Sequence, residues 1–381
     1  MSSRVIPAAL ILMAAMGCAT GAHGPSIDTP VSAAPRALNK LTVEERRALL
    51  ARARVWQPIN TARVNLLTGP RAPDAIGFDA AVTCDYEYPD EPLSGLTPKF
   101  DCKLGAKDVV KVKYGEDNGE VFAEVAASRL FWALGFFADR MYPVRVTCRN
   151  CPPDPFKAST SDWHLGKSDN VAKRVFEPAV IERNLDGKKV EVPGYEGWGW
   201  PELDRIADDR QGASRAQIDA LKLLAVFVQH VDSKPEQQAL LCADGATGRD
   251  SQGNATCATP MLVVKDLGAT FGAANKISYQ KMKLESWRSV SIWKDAKTCQ
   301  GDLTRSFVGT LEHPHISEAG RKFLADRLLL LTDRQLRDLF TAARVDQRKD
   351  NLNGRQVTVA DWVTVFKEKR AQIVQHRCPV T

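Results

Sequence analysis

Eight cysteines spread between residues 84 and 378 constrain this chain more than any other feature: Cys84, Cys102, Cys148, Cys151, Cys242, Cys257, Cys299 and Cys378. An even number of thiols reads as disulfides when the chain folds in an oxidising compartment. Cys84/Cys102 and Cys242/Cys257 each flank a turn-rich stretch, which suits hairpin staples. Cys148-Arg149-Asn150-Cys151 has the spacing of a redox dithiol or of half a zinc site. A reactive dithiol needs a helix N-terminus behind its first cysteine to stabilise the thiolate. The run Pro152-Pro153-Asp154-Pro155 is not expected to start one. Zinc would need a second pair at matching spacing, and the sequence has none. Structural disulfides are therefore expected, with connectivity left open.

The ninth cysteine stands apart. Arg4 gives the N-terminus a positive charge, and the apolar run from Val5 to Met16 is short for a permanent membrane helix. It has the length and flanks of a signal-peptide core. Ala15-Met16-Gly17-Cys18 resembles a bacterial lipobox, which implies cleavage after residue 17 and acylation of Cys18. Residues 18–40, rich in Ala, Gly, Pro and Ser, then read as a lipid-anchored flexible tether. Ala19 after the cysteine resembles an outer-membrane sorting signal. The expected location is the cell envelope, on the outer membrane facing the periplasm or exterior, with the lipid membrane as partner. No later segment reaches the ~18 apolar residues of a membrane span.

The formal charge of +6 is modest and scattered, with no basic run that would indicate nucleic acid. The chain is long enough for one large core or two lobes. Thr42-Val43-Glu44-Glu45 is a capping box opening a short helix. Residues 75–113 have the alternation of strands broken by Pro and Gly, with Val109 to Tyr114 the clearest. A helix over 119–134, a strand from Met141 to Thr147 and another from Lys173 to Glu182 follow. Beyond residue 198 the pattern turns helical. Ser214 opens a capping box and a helix to about Val228, and helices are predicted over 317–330, 332–343 and 358–375. Two short strands, Ala239–Leu241 and Met261–Val264, flank the Cys242–Cys257 loop. The reading is α+β and bilobal: a strand-rich N-lobe over 41–183 and a helical C-lobe over 184–381. Tyr195, Trp198 and Trp200, with three glycines among them, form an aromatic loop after the junction that is expected to pack on the core.

The chemistry concentrates in two short segments. His230-Val231-Asp232-Ser233-Lys234-Pro235-Glu236-Gln237 follows the apolar helix, and Lys265-Asp266-Leu267-Gly268 ends the second short strand. The first resembles the catalytic loop of protein kinases and the second their D-F-G element. The order helix, loop, strand, excursion, strand, Asp-Leu-Gly adds to that resemblance. It implies that Asp232 orients an acceptor hydroxyl, that Lys234 neutralises the transferring phosphate, and that Asp266 and Gln237 hold magnesium or manganese with a nucleotide. Upstream, Lys111 and Lys113 lie on one face of a strand because side chains alternate. Val110-Lys111-Val112-Lys113 matches the kinase lysine strand best with Lys113, although parity alone does not separate the two. On the next helix Glu120 and Glu124 lie one turn apart, and Glu124 is the expected ion-pair partner. Ser94-Gly95-Leu96-Thr97-Pro98-Lys99 resembles the nucleotide loop of HipA-type kinases, which implies phosphate contacts from Gly95 and Lys99.

The resemblance covers residues 93–272 and lies in the kinase-like superfamily that includes HipA, CotH-type and phosphatidylinositol kinases. More narrowly, Val112–Gly115, Ser128–Gly135 and Asp266–Gly272 resemble a group of bacterial lipoproteins of unassigned activity. Two departures bear on function. Gln237 replaces the kinase Asn, and one extra methylene shifts a ligand where magnesium demands near-octahedral geometry. An exported chain also does not meet cytosolic ATP. Two readings follow: a metal-dependent phosphotransferase or nucleotide-binding protein, or an inactive pseudokinase-like binding or structural protein of the envelope.

Overall fold

Strand pairing in the first half and capped, mostly buried helices in the second give an α+β chain. The computed structural model describes residues 35–206, 212–274, 278–352 and 354–379. The signal segment, Cys18 and the tether up to residue 34 lie outside the described residues. Residues 36–381 form one compact unit.

Thr42 caps helix α1 (Val43–Leu50) with the reciprocal Glu45 bond of a capping box. Strands β1 (Ala80–Glu87), β2 (Lys99–Gly105) and β3 (Asp108–Tyr114) follow, then helix α2 (Glu120–Ala133) and strand β4 (Arg140–Cys151). Helix α3 (Pro155–Ser159) and strand β5 (Ala172–Arg183) complete the half. The five strands close into a barrel in the order β1-β2-β3-β5-β4. Its interior is apolar and includes Phe100, Val112, Val144 and Ile181, all fully buried. Helix α3 corrects an expectation from the proline run. Asp154 accepts a bond from the Lys157 N–H, and Pro155 sits in the first turn, where its missing N–H is no loss.

The cysteines form four disulfides: Cys84–Cys102, Cys148–Cys151, Cys242–Cys257 and Cys299–Cys378. The Cys148–Cys151 bond spans three residues at the end of β4, so that pair is neither a free dithiol nor a zinc ligand set. Cys299, Cys378 and His376 lie together, but the two sulfurs are spent on each other.

After the short strand β6 (Lys188–Lys189) comes helix α4 (Arg215–Val228), which is buried from Ile218 to Val228. Gln229 ends it in the left-handed region at φ 56°, and its side-chain amide bonds the Val226 and Asp302 carbonyls. This reversal turns the chain so that His230 is buried in the core and Asp232 lines a cavity. Strand β7 (Gln238–Cys242), strands β8 (Thr247–Arg249) and β9 (Ala255–Cys257), and strand β10 (Pro260–Val264) follow. β7 and β10 pair antiparallel, Gln238 opposite Val264.

Helices α5 (Leu284–Ser289), α6 (Glu318–Leu329), α7 (Asp333–Ala342) and α8 (Val359–Val374) complete the fold. α6 packs on α4 through Gly320, where any Cβ would lie 2.3 Å from the Asp219 Cβ. Trp198 and Trp200 are fully buried with rings 5.3 Å apart, as core rather than as cavity lining. Among the described residues no helix is long and apolar enough to cross a membrane.

Candidate active site

Two strand registers assemble the site. The β7–β10 register leaves the carbonyl of Gln237 accepting the N–H of Lys265 at 3.0 Å and of Asp266 at 3.3 Å. The two sequence segments singled out above are thereby adjacent. Phe271 pins the chain beyond Asp266. Its N–H bonds the Val228 carbonyl at 2.7 Å, and its ring packs on Trp287, Trp362 and Phe340. Burying that ring contributes about 2–3 kcal/mol.

The second register lies in the barrel. Lys113 stands opposite Lys99 on β2 and Val180 on β5, and Lys111 stands opposite Asp101 and Glu182. The lysines therefore part company. Lys113 is buried, and its ammonium donates to Glu124. Glu182, Glu120 and Asp266 lie at 3.7, 3.8 and 3.8 Å from it. Lys111 is partly exposed and lies 3.9 Å from Glu182. Burial opposes the charge on Lys113, but the carboxylates, Asp266 foremost, outweigh it and hold its pKa well above the ordinary value. Burial, with repulsion from Asp266 and Glu120, raises the Glu124 carboxyl despite Lys113. Glu120 closes the cluster, accepting from Lys281 at 2.5 Å and from the Thr97 hydroxyl at 2.7 Å.

A cavity of about 640 Å³ opens beside this cluster. Gly95, Lys99, Lys113, Asp232, Lys234, Gln237 and Asp266 all line it, while Glu124 sits behind Lys113. Gly95 holds φ 91°, a left-handed conformation that favours glycine, and the absence of a Cβ there leaves room for the Lys99 ammonium. Burial and then repulsion from Lys113 lower the Lys99 pKa.

On the opposite wall one amide bridges two carboxylates. Gln237 Nε2 donates to Asp232 Oδ2 at 2.9 Å and to Asp266 Oδ2 at 3.3 Å. The Gln237 Oε1 is buried with no hydrogen-bond partner. Burial disfavours charge on Asp266, yet Lys113 and the Gly268 N–H, which donates to it at 3.1 Å, hold its carboxyl below the usual range. His230 is fully buried against Trp200, and burial lowers it to about 4, so it is neutral at pH 7.

Pairing off the charges leaves a remainder. Lys113–Glu124, Lys281–Glu120 and Lys111–Glu182 satisfy one another. Asp232 has only the Gln237 amide and the Ser306 hydroxyl, at 3.1 Å, as side-chain donors among the described residues. Lys99, Lys234 and Lys265 line the cavity and carry no ion pair among the described residues. Among the described residues, what remains is Asp232, without an ion pair, Asp266, whose one cation is Lys113 at 3.8 Å, and three unpaired lysines in the same cavity.

Sequence reasoning did not find Glu182, Lys281 or Ser306, and it met Lys265 only as the neighbour of Asp266. Glu182 follows from strand register, while Lys281 and Ser306 arrive from loops far along the chain, so none of the three leaves a local motif.

No protein-family model and no curated protein matches the chain. Among solved structures it is similar to the Helicobacter pylori proinflammatory kinase CtkA, at 11% identity and a TM-score of 0.38, over 78% of this chain and 96% of that one. At that score the folds agree only loosely, and no residue is carried across.

Proposed function

We propose that this chain is a metal-dependent phosphotransferase of bilobal, protein-kinase-like design, held in the cell envelope by a lipid on Cys18. In this reading the N-lobe spans 41–183 and the C-lobe 184–381. The observation that carries the proposal is one cavity lined by Asp232 and Asp266, carboxylates suited to a hard cation, and by Lys99, Lys234 and Lys265, unpaired lysines suited to phosphate. Asp266 and Gln237 would hold magnesium or manganese. Both offer oxygen, the ligand such ions take, and the orphaned Gln237 Oε1 is a buried acceptor in want of a partner. The ion supplies charge neutralisation to the phosphates when bound.

The chain's own residues do the rest. Gly95 and Lys99 cradle the donor phosphates of a nucleotide, and Lys113 is pre-set toward them by Glu124. Asp232 accepts the proton of the attacking hydroxyl, and Lys234 meets the charge on the moving phosphoryl group. The inactive, binding-only alternative is favoured by one observation: the Gln237 amide N–H groups already bridge both carboxylates. The readings divide on whether a cation turns that amide over.

Thermal shift of the chain with disulfides intact, against ATP, GTP and ADP with magnesium or manganese, decides between them. Stabilisation that needs the metal and vanishes in Asp266→Ala is expected. No shift with any pair would sink the phosphotransferase reading and leave the binding protein.

A further inference from the structure

Ser306 occupies the place where an acceptor hydroxyl belongs. Its hydroxyl donates to Asp232 Oδ1 at 3.1 Å, and its side chain lines the same cavity as Lys99, Lys113 and Asp266. The residue is fixed from three sides. Its N–H bonds the Val231 carbonyl at 2.8 Å, and its carbonyl and its Oγ each accept from the Gly309 N–H at 3.1 Å. A hydroxyl oxygen has two lone pairs. The shared Gly309 N–H engages one, the proton is turned toward the carboxylate, and one lone pair remains. Geometry of this kind, with the base in hydrogen-bond reach of the proton it removes, is the first requirement of general-base catalysis.

The loop around Ser306 shares the cavity's mouth. Phe307 is 88% exposed and Val308 52% exposed, and both line the opening, so apolar side chains are held in water beside a buried serine that is 7% exposed.

We propose that Ser306 is a self-phosphorylation site, modified within its own chain; the inference rests on the phosphotransferase reading above. Ser306 Oγ forms a bond to the terminal phosphorus of the nucleoside triphosphate as the bond from that phosphorus to the bridging oxygen breaks. The serine proton passes to Asp232 and from there to solvent, and the nucleoside diphosphate leaves with the bridging oxygen. The product places a charge of about −1.5 to −2 beside Asp232, with Lys234 lining the same cavity. The base then has no hydroxyl to deprotonate, so the modification stops at one phosphate per chain at this position.

The test incubates the full chain, disulfides intact, with magnesium–ATP or manganese–GTP and follows intact mass and the phosphopeptides. One phosphate on the Ser306 peptide is expected, at a rate independent of chain concentration. Asp232→Asn is expected to slow it by about 10²-fold or more, Ser306→Ala to abolish it, and Ser306→Thr to restore a phosphothreonine. Nucleotide turnover, or transfer to an added hydroxyl compound, with the Ser306 peptide unmodified would overturn the inference while sparing the phosphotransferase reading. Absence of metal-dependent nucleotide binding by thermal shift would remove both.

Discussion

The two walls of the cavity are built from the same residue types and finished differently. On the barrel side, Lys113, Glu124, Glu120, Lys281, Lys111 and Glu182 form pairs, and the central lysine is 3% exposed. On the loop side, Asp232 and Asp266 share one amide between them, and Lys234 and Lys265 have no carboxylate partner among the described residues. On the first wall these charges pair within the protein, with Glu124 Oε2 the one buried carboxylate oxygen of the cluster left without a hydrogen-bond partner among the described residues. On the second, the phosphotransferase proposal places a cation against the carboxylates and a phosphate against the lysines. Substitutions on the first should therefore cost stability, and on the second should cost ligand and rate.

The largest test is Asp232→Asn. The fold should stay within about 1 kcal/mol, because the amide can still meet the Ser306 hydroxyl, while phosphoryl transfer falls by about 10²–10⁴-fold. Chemical denaturation and a transfer assay on the same sample separate the two effects. Comparable losses in both would erase the distinction between the walls.

Lys113→Met is the mirror experiment. It strands Glu124, which is fully buried, and removing one partner of a buried ion pair costs about 3–5 kcal/mol. Urea unfolding reads it directly. A loss below about 1 kcal/mol would mean that the pair is poised for ligand and does not serve the fold.

Asp139 is a control lying outside this cavity. Burial, then repulsion from Glu182, raises its carboxyl to about 7, against attraction from Lys265 and Lys111 and a bond from the Leu185 N–H. A carboxyl that holds its proton longer when folded gives stability that is full below its unfolded pKa and is lost as pH rises to 7. Asp139→Asn should remove that loss. Its stability relative to the parent should rise by about 3–4 kcal/mol between pH 4 and pH 8. A pH-independent difference would show that Asp139 ionises normally.

The smallest effect is on Lys99. It stands directly opposite Lys113 across two strands, and like charges so placed repel by about 0.2–1 kcal/mol. Lys99→Met should stabilise the free protein by that order while weakening nucleotide binding in a calorimetric titration. Destabilisation, or unchanged binding, would place Lys99 among the structural residues.

The parts legible in the sequence were those with local causes. The capping boxes at Thr42 and Ser214 are both formed, and the helices predicted over 332–343 and 358–375 open on the same motif at Thr332 and Thr358. The lysine strand, the Glu120–Glu124 face and the two loops holding Asp232 and Asp266 are likewise written in short windows. What stayed hidden depends on long-range register or on loops packing from afar. Glu182 reaches the site only because β5 pairs with β3, and Ser306 only because its loop folds back onto Val231. Parity could not separate Lys111 from Lys113, since both project to one side. Burial separates them, and burial comes from α2 packing behind Lys113.

The phosphotransferase proposal requires the loop wall to take up a metal ion together with a phosphate donor. Electron paramagnetic resonance of manganese tests it most directly, as a titration with and without ATP, in the parent chain and in Asp266→Ala. The account predicts one bound ion per chain that is tighter with ATP, and its loss in the variant. Free manganese throughout, or identical binding in both chains, would contradict it.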